Sequence, residues 1–325
     1  MDYHSPNLKK YTSLHQNKKK QILVTGIAGF IGSNVAQRLL RDGHDVVGVD
    51  NLSNGFKENV PTDAELLVMD LANKNIINQL PGNIDVILHL AGQASGENSF
   101  YDPIIDLNQN VVSTLNLIRY GIKSGAHRLV FASSMSCYGD VSGDCAQEDM
   151  VCHPKSCYAV AKLAAEQYLK IFENELPYAI FRLFNVYGPG QNLANLRQGM
   201  VSIFLAQALQ GKKVHVKGSL DRFRDFIEIS DVVEAFTIAS TSNLMDGKTL
   251  NLGTGQPTTV KELLHGLKIE IPDMSWYTKG STPGDQTGLY ADTRRLKEVL
   301  QFEAKVNIKS GLASFTDWAR KQMSC

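Results

Sequence analysis

Residues 22–32 read ILVTGIAGFIG, a short apolar run followed by glycines at positions 26, 29 and 32. The apolar run predicts a buried strand, and the residues that follow it have the spacing of a helix. Between the two, Gly26 permits a tight turn, and Gly29 lets backbone N–H groups approach a pyrophosphate at the helix N-terminus. Gly32 lets the helix pack close to the sheet. This arrangement predicts a dinucleotide site, with an ordinary glycine turn as the alternative.

The end of the next predicted strand favours the dinucleotide site. Asp50 stands there, where a carboxylate can bind the hydroxyls of an adenosine ribose. The same carboxylate repels a 2′-phosphate, and no Arg or Lys occurs from Asp50 until Lys57. The expected cofactor is therefore NAD rather than NADP. After the third predicted strand, Asp70 can reach the adenine, or it can be a solvated loop carboxylate.

The N-terminal half continues this alternation of apolar β-branched runs and helical patterns. Nearly continuous apolar strands alternating with helices predict an α/β fold, a Rossmann-type doubly wound parallel sheet covered on both faces. The predicted strands are Ile22–Thr25, Asp45–Val49, Glu65–Met69, Val86–Leu90, Leu129–Ala132 and Tyr178–Leu183. The predicted helices are Phe30–Arg41, Asn73–Leu80, Ile104–Ser124 and Ser156–Asn174.

After Tyr187-Gly188-Pro189-Gly190 the segments become shorter and are punctuated by glycine and proline, which predicts a smaller C-terminal lobe. We expect a NAD-binding domain over 21–185, with returns at about 224–253. The substrate-binding lobe would then comprise 186–223 and 254–325. Residues 1–20 are polar, and we expect a flexible arm there, with a tag or a packing helix as the alternative.

The composition indicates a globular protein and excludes several classes of partner. The chain has 325 residues, and its 33 Lys and Arg balance its 33 Asp and Glu. Such a balance leaves no electrostatic footprint for nucleic acid or for an anionic membrane surface. The sequence contains neither a signal-peptide core nor an apolar run long enough to cross a bilayer. The five cysteines lack C-x-x-C spacing, so we expect free thiols in a reducing cytoplasm.

Tyr158 and Lys162 are four residues apart in a strongly helical segment that Ser156 can cap, so both side chains project from one face. A phenol titrates near about 10 in water, and a neighbouring ammonium favours the phenolate. Such a group suits proton exchange with a sugar hydroxyl during hydride transfer. The same spacing is also common on surface helices. Its weight comes from Ser134, at an earlier serine-rich strand end, whose hydroxyl can bond the oxygen that Tyr158 serves.

The serine-rich segment 131–139 reads FASSMSCYG and contains further polar side chains. We expect Ser133 to cap a turn, whereas Ser136 either caps a turn or faces the substrate. Cys137 and Cys157 flank the predicted site, and we expect small buried thiols rather than nucleophiles. The histidines do not cluster, so no metal site is predicted.

Together these motifs resemble the extended short-chain dehydrogenase/reductase family, in its nucleotide-sugar epimerase and dehydratase branch. The resemblance runs from about Gln21 to Met323 and rests on the glycine turn, the segment 50–53, the serine-rich strand end and the Tyr158–Lys162 pair. Further matching segments are His89-Leu90-Ala91-Gly92, Phe184-Asn185-Val186-Tyr187-Gly188-Pro189, Arg224-Asp225-Phe226, Asn251-Leu252-Gly253-Thr254-Gly255 and Pro283-Gly284-Asp285.

The resemblance implies a role for each matching position. Ser134, Tyr158 and Lys162 would be catalytic, and Lys162 would also contact the nicotinamide ribose. Asn185 and Arg224 would contact the substrate diphosphate, with backbone bonding and carboxylate pairing as the respective alternatives. The implied NAD-binding residues are Gly26, Gly29, Phe30, Ile31, Gly32, Asp50, Asn51, Asp70, Leu71, Leu90, Ala91, Gly92, Gln93, Tyr158 and Lys162. The implied substrate-binding residues are Ser134, Ser136, Asn185, Val214, His215, Val216, Arg224 and Leu289.

Within the branch, the resemblance is closest to UDP-glucose 4-epimerase-like enzymes. It implies C4 epimerisation of a UDP-sugar through a 4-keto intermediate, with bound NAD regenerated in each cycle. Related dehydratases and decarboxylases place carboxylates after the catalytic Ser or Thr, whereas Met135 and Ser136 stand here. The alternatives are a reductase of a nucleotide keto-sugar that uses external NADH, and a non-catalytic NAD-binding scaffold. The family also implies a homodimer, paired through helices around 104–124 and 156–174.

Three departures from the family pattern leave the nucleotide base and the sugar open. Thr282 stands where the epimerases usually carry a diphosphate-binding arginine, and Lys279 lies shortly before it. Leu289 stands near the sugar where tyrosine is frequent. Gln93 and Ala94 occupy the loop in which a lysine is usual.

Overall fold

The computed structural model describes residues 19–141, 145–196, 199–281 and 288–323. Most of the predicted arm 1–20 and the departure at Thr282 lie outside these residues. The strands are β1 (Gln21–Thr25), β2 (Asp45–Asp50), β3 (Glu65–Val68), β4 (Val86–His89), β5 (Arg128–Ser134), β6 (Cys145–Ala146), β7 (Tyr178–Leu183), β8 (Asn185–Tyr187), β9 (Val214–Val216), β10 (Phe223–Glu228), β11 (Lys248–Leu252), β12 (Pro257–Thr259), β13 (Trp276–Thr278) and β14 (Gly288–Ala291).

Helices connect these strands along the chain. They are α1 (Phe30–Arg41), α2 (Asn98–Tyr101), α3 (Pro103–Leu107), α4 (Ser113–Ser124), α5 (Cys157–Ile171), α6 (Met200–Leu209), α7 (Ile229–Thr241), α8 (Val260–Glu270), α9 (Arg294–Leu300) and α10 (Ile308–Met323). None of the helices in the described ranges is long and apolar enough to cross a membrane.

The main sheet has seven strands in the order β11-β7-β5-β4-β1-β2-β3, and neighbouring strands pair in parallel. The predicted Rossmann-type fold class is therefore confirmed. β1 pairs with β2 on one side and with β4 on the other, which makes the ends of β1 and β4 the topological switch point of the sheet. Ligands of open α/β sheets bind outside the carboxyl ends of the strands at such a point.

Both faces of this sheet are covered, which explains why its central strands are largely apolar. Ile22 and Val24 of β1 pack in one core with Phe236 of α7. Leu23, which points to the opposite face, packs in a second core with Leu169 of α5. In a strand that is buried on both faces, the side chains on both sides are apolar.

The C-terminal segments form smaller sheets beside the large one. Four strands follow the order β12-β10-β14-β6, β8 also pairs with β10, and β13 pairs with β9. α6, α8 and α10 pack around a third core that includes Phe204, Leu263 and Phe315. Two elements of this half lie against the large sheet: β11 forms its edge, and α7 packs against α1.

Two predicted helices differ from the structure. The segment 73–80 contains only a single 3-10 turn, Ile76–Asn78, because the side chain of Asn73 accepts from the backbone N–H of Asn75 and favours a turn. The predicted continuous helix 104–124 is interrupted by a π-helical turn, Asn108–Val112, between α3 and α4. Such turns frequently occur at functional sites.

The contact between α1 and the preceding turn generates a prediction for Gly32. A Cβ atom at this position would lie 2.1 Å from the carbonyl oxygen of Gly26 and 3.0 Å from the Cα of Ile27. We expect Gly32→Ala to lower the free energy of unfolding by about 1–3 kcal/mol or more, because backbone atoms must move. It should also weaken NAD binding. Urea unfolding and cofactor titration measure both effects.

Gly82→Ala is the matched control, since nothing lies within 4 Å of a Cβ at Gly82. This control should unfold and bind NAD like the wild type. Wild-type stability and NAD affinity in Gly32→Ala would contradict the close packing described for this turn.

Candidate functional site

A cleft lies along the carboxyl ends of the central strands. It contains the glycine turn after β1, the ends of β2 and β3, the loop after β4, and three polar side chains from the segment after β8. Its lining residues are Gly26, Gly29, Phe30, Ile31, Gly32, Val49, Asp50, Asn51, Ser53, Asn54, Gly55, Met69, Asp70, Leu71, Leu90, Ala91, Gly92, Ala94, Gln109, Ser113, Gln191, Asn192 and Asn195.

The glycine turn has the geometry that a pyrophosphate requires. Gly26 has a φ of 71°, and a Cβ there would lie 2.8 Å from the backbone nitrogen of Ala91. Gly29 is the N-cap of α1, and as a glycine it supplies no side-chain cap to the first N–H groups of this helix. Those N–H groups and the positive end of the helix dipole suit an anion. The turn therefore fits the phosphates of a dinucleotide.

Asp50 stands at the end of β2, on the wall of the cleft. Its Oδ2 accepts from the backbone N–H of Ala28 at 3.0 Å, and its Oδ1 accepts from that of Leu52 at 2.8 Å. These two bonds fix the carboxylate while each oxygen keeps a further lone pair. An oriented carboxylate with spare acceptor sites suits the paired hydroxyls of a ribose.

The structure brings most of the predicted cofactor residues together in the cleft lining, from which Gln93, Tyr158 and Lys162 are absent. The glycines 26, 29, 32 and 92 line the cleft, as do Phe30, Ile31, Asp50, Asn51, Asp70, Leu71, Leu90 and Ala91. Gln93 is not among the lining residues. Its side-chain amide donates to the Asp106 carboxylate and to the carbonyl of Ser95. The predicted contact of Gln93 with NAD therefore stays a prediction.

Gln191, Asn192 and Asn195 also line the cleft, and the sequence analysis missed them. They lie in the segment after β8, far along the chain from the glycine turn. A Cβ at the neighbouring Gly190 would lie 2.9 Å from the Asn34 amide nitrogen of α1. This close approach brings the segment over the turn. A run of polar residues in a loop has no sequence pattern that predicts such a contact.

The helix α5 carries the two residues of the predicted Tyr-x-x-x-Lys pair. Ser156 caps it, as predicted, because its hydroxyl accepts from the N–H of Ala159 at 3.2 Å. Tyr158 and Lys162 are both buried, and the Lys162 Nζ lies 5.9 Å from the centre of the Tyr158 ring. Nζ also donates to the carbonyl of Ala132 at 3.1 Å. The pair thus lies inside the protein rather than on a surface helix.

Lys162 also lies beside the cleft. A Cβ at Gly92, one of the lining residues, would be 3.4 Å from Nζ. The ammonium is therefore within reach of a group bound over the loop after β4. This position is consistent with the predicted contact to a nicotinamide ribose.

Ser134, the last residue of β5, neighbours Tyr158 and lowers the pKa of its phenol. Its Oγ accepts from the Ser136 N–H at 3.2 Å and lies 3.1 Å from the Ser136 hydroxyl. Ser134, Ser136 and Tyr158 therefore form one group of hydroxyls at the strand end. Ser133 does not cap a turn, and that expectation was wrong: its hydroxyl donates to the Glu166 carboxylate at 2.5 Å.

Burial controls the protonation of both members of the pair. Burial raises the pKa of Tyr158, and the neighbouring Ser134 only partly opposes it. Burial lowers the pKa of Lys162 from 10.5 to about 8, although the nearby Asp106 and Glu166 carboxylates favour the ammonium. The protein groups alone therefore keep Tyr158 as a phenol at neutral pH, contrary to the expectation of an easily ionised one.

The predicted substrate residues occupy different environments. Asn185 donates from Nδ2 to the backbone carbonyl of Asp225 at 3.1 Å, and the same nitrogen lies 3.6 Å from the sulfur of Met135. The backbone-bonding alternative for Asn185 is therefore present in the structure. Arg224 is buried, and one of its nitrogens donates to the carbonyl of Phe223. Burial, together with the nearby guanidinium of Arg222, lowers the pKa of Arg224 to about 10.

In the strand β9, the side chains alternate between core and surface. Val214 and Val216 are fully buried in the C-terminal core, and their contact with a nucleotide base stays a prediction. His215, between them, faces outward and stacks on Tyr277 with ring centres 4.9 Å apart. Leu289 is also fully buried, in a cluster with Tyr138 and Phe184. Its contact with the sugar stays a prediction.

The remaining titratable side chains near the site have structural partners. His89 hydrogen-bonds Thr25 and Thr114, and burial lowers its pKa to about 3, so the ring is neutral. Burial raises the pKa of Cys137 to about 12, which makes it an unreactive thiol. Within the described ranges, no group of His, Cys, Asp and Glu could hold a metal ion.

The sheet order, the glycine turn and the acidic end of β2 define a Rossmann-type dinucleotide-binding protein. The chain belongs to the NAD dependent epimerase/dehydratase family, which residues 22–253 match. The predicted family and its cofactor, NAD, are thereby confirmed.

Similar proteins include enzymes of known class. A UDP-glucose 4-epimerase of Mycolicibacterium smegmatis is 34% identical over 92% of this chain and 98% of its own length. The crystal structure of a Thermotoga maritima UDP-glucose 4-epimerase with UDP-glucose superposes with a TM-score of 0.90, at 34% identity over 93% of this chain and 99% of that one. A UDP-glucuronic acid decarboxylase of Xenopus tropicalis is 32% identical over 95% of this chain and 74% of its own.

The burial of Lys162 generates a pH-dependent prediction. The unfolded chain binds the lysine proton at a pKa of 10.5, whereas the folded protein binds it at about 8. Below pH 8 both states are protonated, so the folded state bears the full cost of burying the charge. That cost disappears as the pH rises from about 8 to 10.5. Lys162→Met should therefore be more stable than the wild type at about pH 7, by about 1–3 kcal/mol, and the difference should shrink at about pH 10.

Urea unfolding of cofactor-free protein at the two pH values measures this difference. Lys261→Met, which changes an exposed lysine of α8, is the matched control and should follow the wild type at both. A Lys162→Met protein that is less stable than the wild type at neutral pH would refute the prediction.

Proposed function

We propose that this protein is an NAD-dependent nucleotide-sugar epimerase that inverts C4 of a UDP-sugar. The observation that carries the proposal is the cluster of the Ser134, Ser136 and Tyr158 hydroxyls at the end of β5, with the Lys162 ammonium near the Tyr158 ring. The similarity to UDP-glucose 4-epimerases over nearly the whole chain supports it. We assign the catalytic roles to Ser134, Tyr158 and Lys162.

In this proposal the cleft holds NAD in an extended form. The turn at Gly26 and Gly29 binds the pyrophosphate, Asp50 binds the adenosine ribose, and Lys162 binds the nicotinamide ribose near Gly92. When bound, NAD supplies a hydride acceptor and returns the hydride later in the cycle. The carboxylate of Asp50 selects NAD because it repels a 2′-phosphate.

The hydroxyls of Tyr158 and Ser134, next to the end of β5, act on the C4 hydroxyl of the sugar. Tyr158, ionised to the phenolate, takes the proton of that hydroxyl at its phenolic oxygen and becomes a phenol, while Ser134 holds the same sugar oxygen by a hydrogen bond. The keto sugar then presents its opposite face, and Tyr158 returns the proton. Lys162 lowers the cost of the phenolate by its positive charge. Arg224 binds the diphosphate, because a buried guanidinium matches its oxygens.

The residues after Ser134 disfavour the chemistry of the decarboxylase relatives. Met135 and Ser136 carry no carboxyl group, so no second acid or base follows the serine. A reductase of keto-sugars remains the alternative within the same site, because it uses the same Ser–Tyr–Lys set. The two functions differ in their need for external NADH.

Purified protein is mixed with UDP-glucose, UDP-galactose and their GDP, CDP and dTDP counterparts without added cofactor, and the products are followed by NMR. We expect interconversion of the C4 epimers of a UDP-sugar. Tyr158→Phe should fold and bind NAD, yet turn over about 10²–10⁴-fold more slowly, the usual contribution of a positioned acid–base group.

Three results would contradict the proposal. One is turnover that requires added NADH, which indicates the reductase. Another is near-wild-type turnover in a Tyr158→Phe variant of unchanged melting temperature. The third is the absence of turnover with every nucleotide sugar by a folded protein that holds NAD, which indicates the scaffold.

We propose further that two copies of the chain form a homodimer through α3 and α5, which pack side by side. Large apolar side chains are exposed on and next to both helices: Tyr101 at 76%, Ile104 at 63%, Val160 at 54% and Ile171 at 69%. Exposed apolar surface of this extent, concentrated on adjacent helices, is typical of an interface. Pairing of the same helices in a second copy covers it with a self-complementary four-helix contact.

Sedimentation tests the dimer. The wild type should sediment as a dimer at micromolar concentration, and Ile104→Glu/Ile171→Glu should sediment as a monomer because charges enter the apolar contact. Val151→Glu changes an equally exposed apolar residue outside these helices, and it should remain dimeric. A monomeric wild type would refute the interface.

We place the enzyme in the cytoplasm on the evidence of its thiols. Cys137, Cys145, Cys152 and Cys157 are all free in the described part of the chain. Free thiols persist in a reducing compartment.

A further inference from the structure

Glu166 is a fully buried carboxylate that the proposed mechanism does not use. It lies four residues after Lys162 and eight after Tyr158, so the three side chains occupy one face of α5. Its Oε1 and Oε2 accept from the Nε and a terminal nitrogen of Arg182 at 2.9 and 2.7 Å. This bidentate pair is closed to water, because the Arg182 side chain is only 4% exposed.

Arg182, a residue of β7, connects the ion pair to Tyr138 and, through Tyr138, to β11. Its guanidinium lies 4.7 Å from the ring centre of Tyr138. The Tyr138 hydroxyl donates to the amide oxygen of Asn251 in β11 at 2.6 Å. Another Arg182 nitrogen donates to the carbonyl of Glu148. The guanidinium of Arg182 is therefore held by the neighbouring chain, and its ion pair with Glu166 anchors α5 to β7.

On the other side, Glu166 bonds β5 next to the catalytic serine. Its Oε1 accepts from the Ser133 hydroxyl at 2.5 Å, one residue before Ser134. Two consecutive residues of β5 are thus hydrogen-bonded to α5, the Ala132 carbonyl to Lys162 and the Ser133 hydroxyl to Glu166, and the next residue, Ser134, neighbours Tyr158. Of these ties, only the one at Ser133 involves neither a catalytic hydroxyl nor the ammonium.

We propose that Glu166, clamped by Arg182, is the positioning residue of the catalytic set: through Ser133 it sets the distance between the end of β5 and α5, so that Tyr158 and Lys162 face Ser134. This inference rests on the proposed function. Displacements of reacting groups by about 1 Å can cost about a hundredfold in rate. A tie one residue from Ser134 and one helical turn from Lys162 controls such displacements.

Two variants separate positioning from stability. Ser133→Ala removes the tie to β5 and leaves the buried ion pair intact. Glu166→Leu/Arg182→Met replaces the ion pair by apolar groups of similar volume, a change that commonly preserves or raises stability, and it also removes the tie. Both variants should melt within a few degrees of the wild type, and their KM and NAD affinity should change by less than about threefold. Their kcat should fall by about 10–100-fold.

The matched control is Arg128→Met/Asp246→Leu. This pair joins the opposite end of β5 to the chain before β11, with Nε and Oδ1 3.0 Å apart. It lies away from the cleft, so its removal changes a largely buried ion pair without touching the tie. We expect its kcat to equal that of the wild type.

A second measurement needs no turnover. The phenolate absorbance of NAD-loaded enzyme, with the matching Tyr158→Phe protein as the blank, follows the ionisation of Tyr158 from neutral pH to about pH 10. Loosening Lys162 and Ser134 removes two groups that favour the phenolate, so the pKa of Tyr158 should rise by about half a unit or more in Ser133→Ala. If the wild type turned over no sugar while this titration shifted, the proposed function would fail and the positioning would stand.

The opposite results overturn the positioning. They are an unchanged kcat in an active, well-folded Ser133→Ala, or a kcat that falls only in step with the melting temperature. The positioning role is also overturned if Tyr158 titrates identically in the wild type and in Ser133→Ala, or if it titrates in neither.

Discussion

The whole site depends on the pairing of β1 with β2 on one side and β4 on the other. Because all three strands are parallel, their carboxyl ends meet at one edge, and the chain leaves them in different directions. The resulting crevice is narrow: a Cβ at Gly26 would collide with the backbone at Ala91, which follows β4. Glycine at the end of β1 and a short acidic side chain at the end of β2 are consequences of this geometry.

The second constraint is the burial of the polar face of α5. A lysine, a tyrosine and a glutamate are placed where they are largely or fully shielded from water. Each is costly there unless it is hydrogen-bonded or paired. Lys162 donates to the Ala132 carbonyl, and Ser134 lies beside the Tyr158 phenol. Arg182 and Ser133 donate to the Glu166 carboxylate. The bonds that offset these costs are also the bonds that hold the helix in register with β5.

Much of this could be predicted from the sequence. The strand and helix periods of the first half are strong, so the parallel sheet, the glycine turn and the position of Asp50 followed from local patterns. α1 and β7 have the predicted bounds. The failures share one cause, which is competition from side-chain contacts that local spacing does not show. In the segment 73–80 the Asn73 side chain accepts from the backbone N–H of Asn75, and at 108–112, in a π-helical turn, the Asn110 side chain donates to a carbonyl of the loop after β4.

The buried hydrogen bonds of Ser133 and Glu166 could not be predicted from the sequence for a similar reason. Ser133 and Glu166 are far apart in the chain, and a serine beside a turn has the local pattern of a cap. One signal was present: Tyr158, Lys162 and Glu166 recur at intervals of four in a helix otherwise rich in alanine. Three ionisable side chains on the buried face of one helix require partners, and the sheet is the element that can supply them.

The side chains after Ser134 connect this network to the type of reaction. Met135 packs partly buried near the cluster of Tyr138 and Phe184, and the amide of Asn185 contacts its sulfur. The position that holds a carboxylate in related dehydratases thus forms part of an apolar wall. In the proposed mechanism Tyr158 removes a proton from a sugar hydroxyl and returns it, and neither of the two residues after Ser134 carries a carboxyl group to expel water or to assist loss of a carboxyl group. Epimerisation requires no more than this, because hydride and proton both leave the sugar and both come back.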